Sequence, residues 1–155
     1  MVPLQHLHPM IVHFPIVLVF LVASFELIAT ALGRNVTGRT ASGNFAVGLL
    51  VLAAGAAIVA YYFGDIALSY AEAHGFESSV AETHETLGKY VALSLAIWAL
   101  VRAVLWWRKV AIAGPTAFVI PAISILAVGL VSWTAYYGGQ LVFDLGVNVA
   151  KSAGG

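Results

Sequence analysis

Four long, predominantly apolar runs, near residues 15–32, 43–63, 86–107 and 116–137, decide what this chain of 155 residues can fold into. A helix needs about 20 apolar residues, at roughly 1.5 Å of rise each, to cross the hydrocarbon core of a bilayer. Each run comes to that length or close to it. Inside hydrocarbon every backbone N–H and C=O must be paired within the protein, so an isolated run of this kind is a helix. Breakers stand between the runs: Gly33, Arg34 and Asn35 through Ser42 and Gly43; the polar segment 65–85, expected as a loop; and Ala113, Gly114 and Pro115. The expected fold is all-α, an integral membrane four-helix bundle forming a single transmembrane domain over residues 1–155. The first run lacks a basic leader and a small-residue cleavage pattern, so it is read as a span and not as a signal peptide.

With 61% hydrophobic and 9% charged residues, the chain is apolar enough to require lipid as its partner. Formal net charge is zero, which removes any electrostatic reason for binding nucleic acid. The absence of cysteine excludes disulfides, thiolate-held clusters and covalently attached haem. A bound metal would therefore be held by His, carboxylate, Met, Tyr or backbone oxygen. No nucleophile elbow and no phosphate-cradling glycine loop is present, so enzyme activity is not expected of the isolated chain.

Charge placement sets an expected orientation. Arg34 and Arg39 follow the first run, and Arg102, Arg108 and Lys109 close the third, so five of the seven cations gather at one side, the cytoplasmic one by the positive-inside rule. Both chain ends then lie on the non-cytoplasmic side, together with His6, His8, His13, His74 and His84. Tyr61, Tyr62, Phe63, Tyr90, Trp133, Tyr136 and Tyr137 would ring that interface, with Trp106 and Trp107 at the other.

The histidines are the chemistry-bearing residues. His8-Pro9-Met10-Ile11-Val12-His13-Phe14-Pro15 and Glu82-Thr83-His84-Glu85 each stand just before an apolar run. Proline disfavours helix at the residue before it and suits the first helical turn, so the segment 8–14 is expected to be extended or kinked across the rim, with the span starting at Pro15. Imidazoles from two helices are the usual axial ligands of a b-type haem, and carboxylates or carbonyls on their outer nitrogens orient them. His13 and His84 are the expected ligands to haem iron, with His8 also binding the cofactor or replacing one of them. Glu82, Glu85 and Asp65 are candidates for the supporting shell. Three imidazoles with a carboxylate would instead suit copper or zinc. Spacing leaves both open, and a histidine at an interface also serves simply to cap a helix.

Two charges lie more than one helical turn inside the runs. Glu26 and Arg102 stand at matching depth near the cytoplasmic end and are expected to form a buried ion pair. The small residues Gly48, Ala53, Ala54, Gly55, Ala56, Ala57 and Ala60 permit close helix approach in the second span, and such a face also leaves room for a flat macrocycle.

Taken with the tail Gly138-Gly139-Gln140-Leu141-Val142-Phe143-Asp144-Leu145-Gly146-Val147, the two histidine segments make nearly the whole chain resemble the four-helix bacterial membrane family called domain of unknown function 2231. The family name carries no activity. The resemblance implies a multi-pass protein of the bacterial inner membrane and, through relatives fused to Rieske-type or cytochrome-like modules, a redox setting. The reading that unites these features is a small membrane subunit that binds haem b at its periplasmic rim and exchanges electrons with a quinol or a periplasmic or membrane redox partner. A structural or assembly subunit without its own cofactor is the alternative. A copper- or zinc-handling membrane protein is the third.

Overall fold

The computed structural model describes residues 4–147. After a short 3-10 turn, Leu4–His6, come α1 (Leu7–Ile11), α2 (His13–Ala31), α3 (Ala41–Ala73) and α4 (Ser79–Trp107). A second 3-10 turn, Gly114–Phe118, leads into α5 (Val119–Phe143). The described residues contain no strand. Helix α2 packs on α3, α3 on α4, α4 on α5, and α5 back on α2, closing a four-helix bundle. Four helical stretches are long and apolar enough to cross a membrane: Leu7–Ala31, Ala41–Ala73, Ser79–Trp107 and Gly114–Phe143.

The bundle exposes large apolar side chains, as lipid demands, packs Val, Leu and Ala inside, and buries an ion pair. Phe14, Leu21, Ile28, Leu52, Leu100 and Leu126 face outward, while Glu26 and Arg102 are wholly buried. Ala46, Ala53, Ala54, Ala57 and Ala60 turn inward from α3 at helical spacing. Having no water to expel, membrane helices hold together by close contact, and alanine lets the backbones approach. Gly48 and Gly55, also small, face outward instead.

All four helical stretches reach beyond the expected spans. The segment 8–14 is helical and not extended, because its prolines sit where their missing N–H costs little. Pro9 is in the first turn of α1 and Pro15 in the first turn of α2. Val12 joins the two by donating to His8 O at 3.0 Å. The polar segment 65–85, expected as a loop, is also mostly helix. Helix α3 carries on through Ala67, Leu68 and Ala71, with no glycine or proline after Gly64 until Gly75. There the chain turns in the left-handed region (φ 83°) and Phe76 N donates to Ala71 O, a glycine-terminated helix end. Ser78 then caps α4, accepting from Val80 N at 3.2 Å. Polarity here does not interrupt the helix.

The connections at the other end are stitched together. Asn35 Oδ1 accepts from the backbone N–H of Thr37 (3.0 Å) and Gly38 (2.7 Å), while its Nδ2 donates to Ile112 O (3.2 Å). The buried Thr37 hydroxyl donates to Val110 O (2.8 Å) and accepts from Ile112 N (3.1 Å). The first and third loops are thereby one structure. The start of α1, the 74–78 turn and the end of α5 consequently share the opposite end.

A paired-imidazole site at one end of the bundle

His8, near the start of α1, and His84, in the second turn of α4, come together at that opposite end. Their ring centroids are 6.0 Å apart and the planes meet at 80°. Nδ1 of His8 donates to Ala60 O of α3 at 2.8 Å, and Nδ1 of His84 donates to Thr134 O of α5 at 2.9 Å. A carbonyl can only accept, so Nδ1 carries the proton, and in the neutral ring Nε2 keeps a free lone pair. Such an imidazole is oriented by one nitrogen and available to a metal through the other.

The helices supply the rest of the setting. The residue one turn beyond each accepting carbonyl is glycine, Gly64 after Ala60 and Gly138 after Thr134, and the imidazoles lie against them. A Cβ at Gly64 would stand 2.9 Å from His8 Cε1, and one at Gly138 would stand 2.9 Å from His84 Cε1. Around the pair lies a cavity of about 400 Å³, walled by apolar groups such as Ile16, Ala57, Tyr61, Val91 and Val131. That is within the range of about 300–1,000 Å³ typical of small-molecule and cofactor sites. The exposed residues His13 and Asp65 line it too, so it reaches the surface.

The other candidate residues are placed as follows. His13 is exposed at the rim of the cavity, and the ring that meets His84 is that of His8. Glu85, half-buried, and Asp65 line the cavity, whereas Glu82 is exposed. The outer nitrogens of the two central imidazoles are held by main-chain carbonyls and not by these carboxylates. His6 is exposed, and His74 bonds back to Tyr70 O of its own helix at 2.7 Å. Among the described residues no three His, Asp or Glu side chains gather as a metal-binding group.

At the far end Glu26 and Arg102 form a fully buried ion pair. Ser124 Oγ donates to the second carboxylate oxygen, and Arg102 Nη2 donates to Val36 O, each at 2.5 Å. The guanidinium also lies 5.7 Å from the Trp98 ring centroid.

Gly64 had no part in the sequence reading and Gly138 entered it only as the start of the tail, although a signal for the site was present. Glu26 follows His8 by eighteen residues, and Arg102 follows His84 by the same eighteen. That repeat matches His84 to His8 and not to His13.

The bis-imidazole arrangement can be tested against the candidate metals. Two imidazoles facing one metal from opposite sides, with metal–nitrogen bonds of about 2 Å and roughly 1.1 Å from each Nε2 to its ring centre, would put the centroids ~6 Å apart. The observed separation meets that figure. A zinc ion would still need two further protein ligands, but a haem brings four equatorial nitrogens of its own and asks the protein for two axial ones. The donor set fits haem. Among the described residues no Lys or Arg lines the cavity, so haem propionates would be left to water at its mouth.

A family model described as a predicted membrane protein (DUF2231) matches residues 5–151. No curated protein and no solved structure matches the chain.

Proposed function

Because the chain belongs to the DUF2231 family of membrane proteins, a description that names no activity, we propose its function from its own chemistry: it is a small membrane redox subunit that binds haem b between His8 and His84. The observation that carries this reading is the pair of imidazoles, each tied by Nδ1 to a helix carbonyl, with centroids 6.0 Å apart in an apolar cavity. When bound, haem b supplies one-electron exchange at its iron. The chain's own residues hold and tune. His8 and His84 would hold the haem, Ala60 O and Thr134 O fix the tautomer that leaves each Nε2 free for it, and the apolar walls would limit water around it. His13, at the rim, is assigned a place beside the cofactor's edge and not on the iron.

The position of the site suggests the partners. A haem at the rim, close to one membrane face, is within reach of a quinol in the bilayer or of a redox protein docking on that face, here taken as the periplasmic one. The copper or zinc reading is the weaker, since two imidazoles leave either ion short of ligands.

The test is optical. Protein purified from membranes of haem-competent cells should carry one haem b per chain, identified as its pyridine haemochrome, with the sharp bands of a low-spin iron. His8→Ala and His84→Ala should each abolish the low-spin spectrum while the protein still inserts, because four apolar helices enter the membrane without a cofactor. A colourless preparation that takes up no added haemin would put the assembly-subunit reading in its place.

A further inference from the structure

The histidines are built into the bundle the same way twice. Each stands near the start of one helical stretch, donates Nδ1–H to a carbonyl of the next, and lies against the glycine one turn beyond that carbonyl. The fit at those glycines is tight. A Cβ at Gly64 would be 2.9 Å from His8 Cε1 and 3.0 Å from Nδ1, and a Cβ at Gly138 would be 2.9 Å from His84 Cε1 and 3.4 Å from Nδ1. An alanine at either position would force the ring to turn or withdraw. Gly139, beside Gly138 and also lining the cavity, has nothing within 4 Å of where its Cβ would be. Among the glycines that line the cavity, the requirement for a missing side chain is thus confined to the two under the rings. With the carbonyl fixing each outer nitrogen and the glycine fixing each ring edge, the two planes are held 80° apart.

We propose that Gly64 and Gly138 are positioning residues that hold the two axial imidazoles in crossed planes, and that the crossing gives the ferric haem site a strongly anisotropic ligand field. The inference rests on the haem reading above. Its physical basis is the π interaction of each imidazole with one iron d orbital perpendicular to its plane. Parallel rings act on the same orbital and split it from its partner, producing a rhombic low-spin signal. Crossed rings act on one orbital each and leave the two nearly degenerate. Orbital angular momentum is then poorly quenched, and the electron paramagnetic resonance spectrum is dominated by one large g value at low field.

The experiment is low-temperature electron paramagnetic resonance on the full chain in detergent, loaded with ferric haem, for the unaltered protein and for Gly64→Ala, Gly138→Ala and, as a control outside the cavity, the outward-facing Gly55→Ala. The unaltered protein and Gly55→Ala should show the single large-g feature. Gly64→Ala and Gly138→Ala should lose it, either by conversion to a rhombic signal as a ring turns or by a shift to high spin as a ligand withdraws. Should either alanine variant fail to accumulate, the unaltered protein alone remains decisive, because a rhombic signal from it overturns the inference. A large-g signal unchanged in both Gly64→Ala and Gly138→Ala, with haem bound, overturns the positioning role while leaving haem ligation intact. Protein that takes up no haem at all removes the haem reading, and this inference with it.

Discussion

Glu26 and Arg102 make a salt bridge in which neither side chain is exposed, at the end of the bundle opposite His8 and His84. Taking two charges out of water is costly, and their attraction offsets that cost only with good geometry and further hydrogen bonds. Ser124 and Val36 O supply those bonds. Removing one partner leaves the other charge buried and uncompensated. Glu26→Gln and Arg102→Met should each destabilise the protein by about 3–5 kcal/mol, and the double variant should lose less than the sum. A double-mutant cycle on thermal unfolding in detergent measures the coupling. Strictly additive losses would mean that the pair contributes nothing as a pair.

The stitched loops should behave as a unit independent of the histidine end. Thr37→Val keeps the shape of a fully buried side chain but leaves Val110 O and Ile112 N without their partner. The expected cost is about 1–3 kcal/mol, read as a lower midpoint of thermal unfolding, with the visible spectrum unchanged. A spectral change in that variant would show that the two ends communicate.

Much of this was legible in the sequence, and the reasons differ by element. The four helices follow from apolar runs that no other structure can bury in lipid. The Glu26–Arg102 contact follows from counting rise along two helices of similar length. The extent of the helices was less legible, because charge in segment 65–85 signals exposure to water and says nothing against helix. The register of the histidines was obscured by proline. Pro15 suggested that the chain before it leaves the helix, yet in a first turn proline breaks no bond that would otherwise form. With α1 helical, His8 turns inward and His13 stays at the rim. Main-chain carbonyls as partners of the imidazoles had no signal in side-chain identity, whereas the glycines beneath the rings and the eighteen-residue repeat did.

Orientation is set by the cations. Arg34, Arg39, Arg108 and Lys109 lie at or near the connections opposite the histidines, so a reporter fused after Arg39 should be cytoplasmic and one at the C-terminus external. A cytoplasmic C-terminus would put the imidazole pair on the inner face and exclude a periplasmic partner.

Glu85 is the half-buried carboxylate of the cavity wall, next in sequence to His84. Negative charge near a haem favours the oxidised iron. Glu85→Gln should raise the midpoint potential by tens of millivolts, on the order of 1 kcal/mol for a charge at this kind of depth. Redox titration followed optically measures it, and an unchanged or lowered potential would count against the placement of the haem beside Glu85.

The histidines outside the pair provide the contrast. His74→Ala removes a bond to its own helix, and His6→Ala alters an exposed residue. Both should leave the haem spectrum intact. His13→Ala should shift it slightly at most, far less than His8→Ala does.

The central claim is that His8 and His84 supply nitrogen to one iron, and chemical rescue tests it most directly. In His84→Gly the ring is replaced by space that free imidazole can enter, since the cavity reaches the surface. Haem-loaded His84→Gly should be high spin without imidazole, and titration with imidazole should restore the low-spin spectrum of the unaltered protein; His8→Gly should respond in the same way. A low-spin spectrum that persists in both variants without imidazole, or one that imidazole fails to restore in folded, haem-loaded protein, would contradict the account.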